Sequence, residues 1–584
     1  MAPHHQGGKK MRFIVSRVVR RTAAAAALSL ICTLPNAAGA LPTSPSAEVR
    51  LNEGVVQGER IRVGNTDLHV FRGIPYAAPP IGELRWREPQ PVGRWAGVRD
   101  AREFGPRCMQ SSPFRPVFRS KEMSEDCLYL NVWAPAPGQD AREGKRPVLV
   151  YFHGGGFIGG DGSEGRYDGE NFAARRLVVV TVNYRLGVFG FLAPPEAARE
   201  SPHGTAGNYG LLDQVAALRW VRDNIAQFGG DPEQVTIAGN SAGSISVSAH
   251  MASPLSRGLF ARAIGESGAA FAPLRPWSRE EAERAAGYLA ERVGATSLNQ
   301  LRALPASTLL DATAETAKPI YRFWPHVDGH FLPESPESIF ASGRQAPVPL
   351  LLGVNSQEGH FDQVLGGATP TPENWRASIG ELFRDEANGA LAFYPGKDDD
   401  EVMRSGTALA TDLFVGHSTW RWMDLHRRTG RAPVYFYHYA HIRPPEVEVG
   451  TEQQHGPKPT IGAVHSAEIE YALGNLDKRP RYAWRPEDYK VSQAFSTYIA
   501  QFVRTGNPNR RQAENPLMYF SALGLTRKPN LLTPPNWPAV REEQDGLAQQ
   551  VIRTTPYTSW NRDAPRHAFL QRFIESRDSP LSGD

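Results

Sequence analysis

Ser241 lies in Gly239-Asn240-Ser241-Ala242-Gly243, a G-x-S-x-G pentapeptide set between two different local patterns. The β-branched run Gln234-Val235-Thr236-Ile237-Ala238 before it reads as a buried strand, and residues 243–250 after it read as the start of a helix. A strand, a tight turn of small residues and a helix push a serine hydroxyl outward from a strained turn, which is the arrangement of a nucleophile elbow. Upstream, the apolar run Val148-Leu149-Val150-Tyr151-Phe152 passes straight into His153-Gly154-Gly155-Gly156-Phe157. Successive glycines let bare backbone approach a ligand with no Cβ in the way. Acyl transfer passes through a tetrahedral intermediate with a negative oxygen, which needs N–H donors already in position. The amides of Gly155, Gly156 and Ala242 are the expected donors. Each motif alone is weak, because Gly, Ser and Ala are common. Together, in this order, they point to nucleophilic acyl transfer.

A serine hydroxyl attacks only when a neutral histidine takes its proton, and that histidine needs a carboxylate to fix its tautomer and stabilise the imidazolium. The chain has 16 histidines, so a histidine in some loop is no signal by itself. Two strand-like runs lead into polar loops. Val348-Pro349-Leu350-Leu351-Leu352-Gly353-Val354 precedes Asn355-Ser356-Gln357-Glu358-Gly359, with Asp362 as a rival acid. Pro433-Val434-Tyr435-Phe436-Tyr437-His438-Tyr439 precedes a polar loop that ends in Gly462-Ala463-Val464-His465-Ser466-Ala467-Glu468. His438 and His441 are expected to pack or hydrogen-bond within the strand-like run, whereas His455 competes with His465 for the role of base. In a helical turn Glu468 would lie beside His465, as hydrogen-bonding support. Spacing alone leaves these choices open.

Several longer stretches occur in a fixed order. They are Phe71-Arg72-Gly73-Ile74-Pro75-Tyr76-Ala77, Glu125-Asp126-Cys127-Leu128-Tyr129-Leu130-Asn131-Val132, the HGGGF run, Asn183-Tyr184-Arg185-Leu186-Gly187, Gly207-Asn208-Tyr209-Gly210-Leu211-Leu212-Asp213-Gln214 and Phe228-Gly229-Gly230-Asp231-Pro232. In these the chain resembles the type-B carboxylesterases, the cholinesterase-like branch of the α/β-hydrolases, over nearly all of its length after the leader. The resemblance implies an α/β-hydrolase fold: a large, mostly parallel sheet with helices on both faces, and insertions between roughly 270 and 430 that roof an active-site gorge. It implies Ser241 as nucleophile, Glu358 as acid and His465 as base, in the chain order of this fold. It makes Ser267, in Ile264-Gly265-Glu266-Ser267-Gly268, a serine that hydrogen-bonds the triad carboxylate. The implied activity is metal-free and cofactor-free hydrolysis of carboxylic esters through an acyl-enzyme. A lipase or an amidase on the same fold is the nearer alternative. A non-catalytic adhesion module of cholinesterase type would lack triad residues that are all present here.

Two features depart from the family pattern. The family usually has Glu before the nucleophile, where this chain has Asn240, which keeps hydrogen-bonding capacity but brings no charge. Cholinesterases carry a cation-binding Trp in the loop that here runs from Cys108 to Cys127 and contains Phe114 and Phe118 but no Trp. Trp offers the best cation–π face, so both departures imply neutral rather than choline esters.

The elements that must position these residues are legible in outline. Leu177-Val178-Val179-Val180-Thr181-Val182 is apolar on successive residues, as in a strand covered on both faces. Leu211, Val215, Leu218, Val221, Ile225 and Phe228 follow helical spacing, as do Val491, Phe495, Ile499 and Phe502 before Gly506. Ser278 and Glu281 form a capping box for a helix running to Val293. No linker or repeat divides the chain, so one α/β domain over 41–584 is expected, with residues 446–459 as a mobile loop.

Residues 1–40 read as a cleavable export signal. Lys9, Lys10, Arg12, Arg17, Arg20 and Arg21 precede an apolar stretch over 22–34 and Ala38-Gly39-Ala40. That segment carries six Lys/Arg and no Asp/Glu, so its removal takes the formal charge from +4 to −2 and leaves no basic excess for nucleic acid. No later run is long enough to span a membrane, so the expected product is periplasmic or secreted. Its two remaining cysteines are Cys108 and Cys127. Export favours their pairing, and the family resemblance places a disulfide there.

Overall fold

The computed structural model describes residues 46–111, 117–138, 144–314, 323–447, 460–509, 534–543 and 546–576. The export segment, Phe114, His455 and most of the 446–459 loop lie outside the described residues.

The strand-like runs join in a sheet of fourteen strands among the described residues. Its centre consists of β1 (Tyr129–Pro135), β2 (Arg146–Phe152), β3 (Val178–Val182), β4 (Gly230–Asn240), β5 (Arg262–Glu266), β6 (Leu350–Asn355), β7 (Val434–Tyr439) and β8 (Gly546–Ile552). They lie side by side in the order β1-β3-β2-β4-β5-β6-β7-β8. Every neighbouring pair from β3 to β8 is parallel. Antiparallel strands close both edges: Ser46–Arg50, Val55–Val63 and Thr66–Pro75 beyond β1, and Glu542–Glu543 and Tyr557–Asn561 against β8. From β2 the chain steps to one side to form β3, then crosses to the other side to form β4. That reversal is a topological switch point, where the carboxyl ends of neighbouring strands open a crevice.

The uninterrupted apolar strands follow from burial on both faces. In β2, Val148, Val150 and Phe152 join one apolar cluster, with Val215, Leu218 and Val221 of α1 (Tyr209–Asn224) and Ile245 and Val247 of α2 (Ala242–Ala252). The alternate residues Leu149 and Tyr151 join a second cluster. Helix α3 (Arg279–Arg292) starts at the Ser278–Glu281 capping box, with both reciprocal hydrogen bonds formed. After β6 come α4 (Asp399–Thr411), a π-helical turn over Asp412–Gly416 and α5 (His417–Thr429). Helix α6 (Pro486–Thr505) presents Val491, Phe495, Ile499 and Phe502 to the second cluster and ends at Gly506, whose φ of +73° suits glycine. A third cluster joins Phe361, Trp375, Ile379, Phe383 and Leu409 to Phe569, Leu570 and Phe573 of α7 (Ala564–Glu575).

Cys108 and Cys127 are joined in a disulfide. Among the described residues no helix is long and apolar enough to cross a membrane.

Candidate active site

The switch-point strands β2 and β4 end in the two glycine-bearing motifs. Ser241 follows β4 directly, with φ +55° and ψ −121°, and α2 begins at the next residue. This is a sparsely populated conformation for a residue with a side chain. It is held from both sides, because Ser241 N–H donates to the Glu266 carbonyl (2.8 Å) and Ile245 N–H donates to the Ser241 carbonyl (2.9 Å). The flanking glycines answer to crowding: a Cβ on Gly243 would lie 2.1 Å from the Phe152 carbonyl oxygen, and one on Gly239 would lie 2.5 Å from Gly243.

The end of β2 is packed against this turn. A Cβ on Gly154 would come 2.7 Å from the Asn240 carbonyl oxygen and 3.2 Å from Ser241 Cβ, which sets the glycine run beside the serine. His153 anchors the start of that run. Its ring stacks on Tyr184 (4.4 Å between centroids), Nδ1 lies 2.8 Å from the Gly154 carbonyl, and Tyr184 Oη donates to the His153 carbonyl (2.6 Å). Burial lowers the His153 pKa to about 4. Among the described residues no protein acceptor takes the amides of Gly155, Gly156 or Ala242.

Glu358 and His465 lie in the loops that follow β6 and β7. Glu358 lies three residues beyond β6, its side chain fully covered, and its Oε2 is 2.7 Å from Nδ1 of His465. The other oxygen accepts from Ser267 Oγ (2.5 Å) and from the Asn355 backbone N–H (2.6 Å). Each oxygen therefore has a partner and the carboxylate cannot turn. Asp362 lies 3.2 Å from His360. His441 pairs with Asp488 (2.7 Å), and His438 is in β7. Two influences compete on His465: desolvation lowers its pKa, while the hydrogen bond and charge of Glu358 raise it, and the net shift is upward. The Phe414 ring meets the His465 ring edge-on at 4.9 Å.

A profile described as "Carboxylesterase family" matches residues 45–556. The chain belongs to the carboxylesterase family. It is 37% identical to a fumonisin B1 esterase from Sphingopyxis macrogoltabida over 424 residues, 70% of this chain and 72% of that one. A para-nitrobenzyl esterase from Bacillus subtilis is 33% identical over 492 residues, covering 82% of this chain and 90% of that one. An acetylcholinesterase from Electrophorus electricus is 35% identical over 534 residues, covering 80% and 81%. The protein is accordingly a carboxylic-ester hydrolase.

Asn240 and Glu468, both singled out in the sequence, meet here, and Asn355, Ser356, Gln357 and Thr411, which sequence reasoning passed over, surround them. Asn240, only 1% exposed, donates from Nδ2 to Glu468 Oε1 (2.6 Å) and accepts from Ser466 Oγ at Oδ1 (2.8 Å). Asn355 Nδ2 donates to Glu468 Oε2 (2.5 Å) and to the Val464 carbonyl (2.8 Å). Gln357 Oε1 accepts from Ile461 N–H (2.8 Å) and Gly462 N–H (2.9 Å), and Ser356 Oγ accepts from Ala463 N–H (2.9 Å). The polar triplet before Glu358 is thus a clasp on the histidine loop. Behind it, Thr411 Oγ1 accepts from the backbone N–H groups of Glu358 (3.1 Å) and Gly359 (3.3 Å). The only sequence signal was three amide or hydroxyl residues in succession next to an acid. Glu266 and Glu468 are buried near this clasp, and desolvation together with the nearby carboxylate charges raises both pKa values.

Proposed function

We propose that the protein is an exported serine esterase working through Ser241, Glu358 and His465, with neutral esters as its substrates. The reading rests above all on the Glu358–His465 contact: a fully covered carboxylate, pinned by two other donors, facing Nδ1 of a histidine. Such a pair leaves Nε2 as the base. Ser241 Oγ attacks the ester carbonyl carbon while His465 takes its proton. The carbonyl π bond opens, and its oxygen carries the negative charge to the amides of Gly155, Gly156 and Ala242. Collapse breaks the bond to the alcohol oxygen, which leaves with the proton held by His465. Water, deprotonated by His465, then attacks the acyl carbon, the bond to Ser241 Oγ breaks as His465 returns the proton to it, and the acid leaves. No step calls for a cofactor.

The residue before the nucleophile and the loop closed by Cys108 and Cys127 support neutral alcohol groups, since the first lacks the carboxylate and the second the Trp that would favour a quaternary ammonium. Export is supported by the leader-like residues 1–40, followed by one catalytic domain over 41–584, and by a disulfide that suits an oxidising compartment.

The test is rapid mixing with an activated neutral ester. A burst of one alcohol per chain is expected, abolished in Ser241→Ala. The pH profile of kcat/KM should rise through an inflection above about 6.5, the ordinary histidine value, because Glu358 raises the pKa of His465. Glu358→Gln should lower turnover by roughly 10⁴-fold and move the residual inflection to the acid side, since the largest opposition to desolvation is removed. Asp362→Asn should stay near wild type. A Glu358→Gln enzyme with wild-type rates would sink the triad assignment. Faster turnover of a choline ester than of its isosteric neutral analogue would sink the substrate assignment alone.

A further inference from the structure

Outside the catalytic residues, three loops distant in sequence bring Glu88, His203 and His330 together. One donor atom from each lies within 4.8 Å of the other two. His203 Nδ1 is 2.9 Å from Glu88 Oε1. The rings of His203 and His330 lie face to face, 3.8 Å between centroids and 16° from parallel. A cavity of about 220 Å³ opens beside them, lined also by Leu212, Val215 and Arg219.

The cluster is framed by its own hydrogen bonds. Ser201 Oγ donates to Glu88 Oε1 (3.2 Å) and accepts from His203 N–H (3.2 Å). His330 N–H donates to Asp328 Oδ1 (3.0 Å). Arg279 ties the two histidine loops, donating to the Asp328 carbonyl (2.5 Å) and the Gly204 carbonyl (3.4 Å). Two imidazoles and a carboxylate are a ligand set for Zn²⁺, with water completing a tetrahedron.

We propose that Glu88, His203 and His330 form a surface site for a Zn²⁺-class divalent ion, which clips three loops of the esterase together. A tetrahedral ion with bonds of about 2.0–2.1 Å needs donors about 3.3 Å apart. The Glu88–His203 pair is already closer than that, and the His203 side chain, 42% exposed, is free to splay from its stack so that both rings point at one centre. The charges facing His330 are Asp328 and Glu88, which favour a cation, and Arg219 and His203 when protonated, which oppose one. The site shares no residue with Ser241, Glu358 or His465, so its role is structural.

The full chain, stripped with a chelator, is titrated with ZnCl₂ at neutral pH by calorimetry and by thermal unfolding. One Zn²⁺ per chain is expected, with a higher Tm, because the ion binds the folded state only. His203→Ala and His330→Ala should each weaken binding by at least about tenfold, and the double variant should lose both the binding and the Tm rise. Neutral-ester hydrolysis without zinc should be unchanged in all of them, which confirms that they fold. Co²⁺ should give the visible absorption of a four-coordinate site in the wild type and not in the double variant. Wild-type stoichiometry and affinity in an active double variant would place the zinc elsewhere and overturn the proposal. So would the absence of any saturable binding to the stripped wild type.

Discussion

Asn240 stands next to Ser241, the proposed nucleophile, yet its side chain is buried and hydrogen-bonded within the protein. From the sequence, its importance is the missing charge of a family glutamate. The structure adds that its amide bridges Glu468 and Ser466, contacts 228 and 226 residues distant that no local pattern reveals. The elbow itself was legible because strand, turn and helix are contiguous, and so was the glycine run. Restoring the glutamate therefore does more than add a charge. In Asn240→Glu the new carboxyl faces Glu468, and two carboxyls at hydrogen-bond distance share a proton at neutral pH. We expect the ratio of kcat/KM for a choline ester over its neutral isostere to be low and flat with pH in the wild type. In the variant it should climb as pH rises and the shared proton is lost. A variant ratio that matches the wild type at every pH from 6 to 9 would exclude this account.

At the scale of elements, the segments that follow the strands carry the proposed catalytic residues, and helices brace those segments. The apolar runs foretold β2, β3, β6 and β7, since a strand buried on both faces has no polar alternation to hide it. The capping box and the Gly506 stop foretold α3 and α6 for the same reason: their signals are local. The α4–α5 segment was visible only as an insertion. Its π-helical turn, of a kind found often at functional sites, lies between Thr411, which holds the Glu358 loop, and Thr419, whose Oγ1 accepts from the Gly268 N–H (2.8 Å) beside Ser267. Phe414, within the turn, meets His465. Thr411→Val keeps the shape but removes an acceptor from two buried N–H groups, at a cost of about 1–3 kcal/mol. We expect a lower Tm and a lower kcat with little change in KM, because the carboxylate is displaced while the substrate surface is kept. Thr411→Ser should restore both. Wild-type kcat in Thr411→Val, measured well below its Tm, would show that the helix does not position the acid.

At the scale of the whole molecule, the buried titratable groups set how stability follows pH, and they pull in opposite directions. Burial lowers the pKa values of His153, His250, His326, His417, His426, His438 and His567. Below about pH 6.5 the unfolded chain protonates these seven histidines while the folded chain does not. Unfolding then takes up protons, so stability falls as the pH is lowered. Burial raises Glu266, Glu468 and Asp412 instead, the last to about 6 in spite of Arg566. Above the ordinary carboxyl range these three stay protonated in the folded chain and ionise in the unfolded one. Unfolding releases their protons, so they make stability fall as the pH rises towards neutrality and beyond. Between about pH 4.5 and 6.5 the histidines outnumber the carboxyls, and stability should rise with pH. Past about pH 6.5 the contribution of these seven histidines is complete, and the two glutamates together with His465, whose pKa Glu358 raises, still hold protons and turn the curve downward. Chemical denaturation from pH 4.5 to 8.5 should therefore give a maximum near pH 6.5. Glu468→Gln retains a hydrogen-bonding side chain that cannot ionise, so it should flatten the alkaline limb and leave the acid limb in place. A variant whose alkaline limb is as steep as that of the wild type would mean that Glu468 is already ionised in the folded esterase, with the Asn240 and Asn355 amides sufficient to hold its charge.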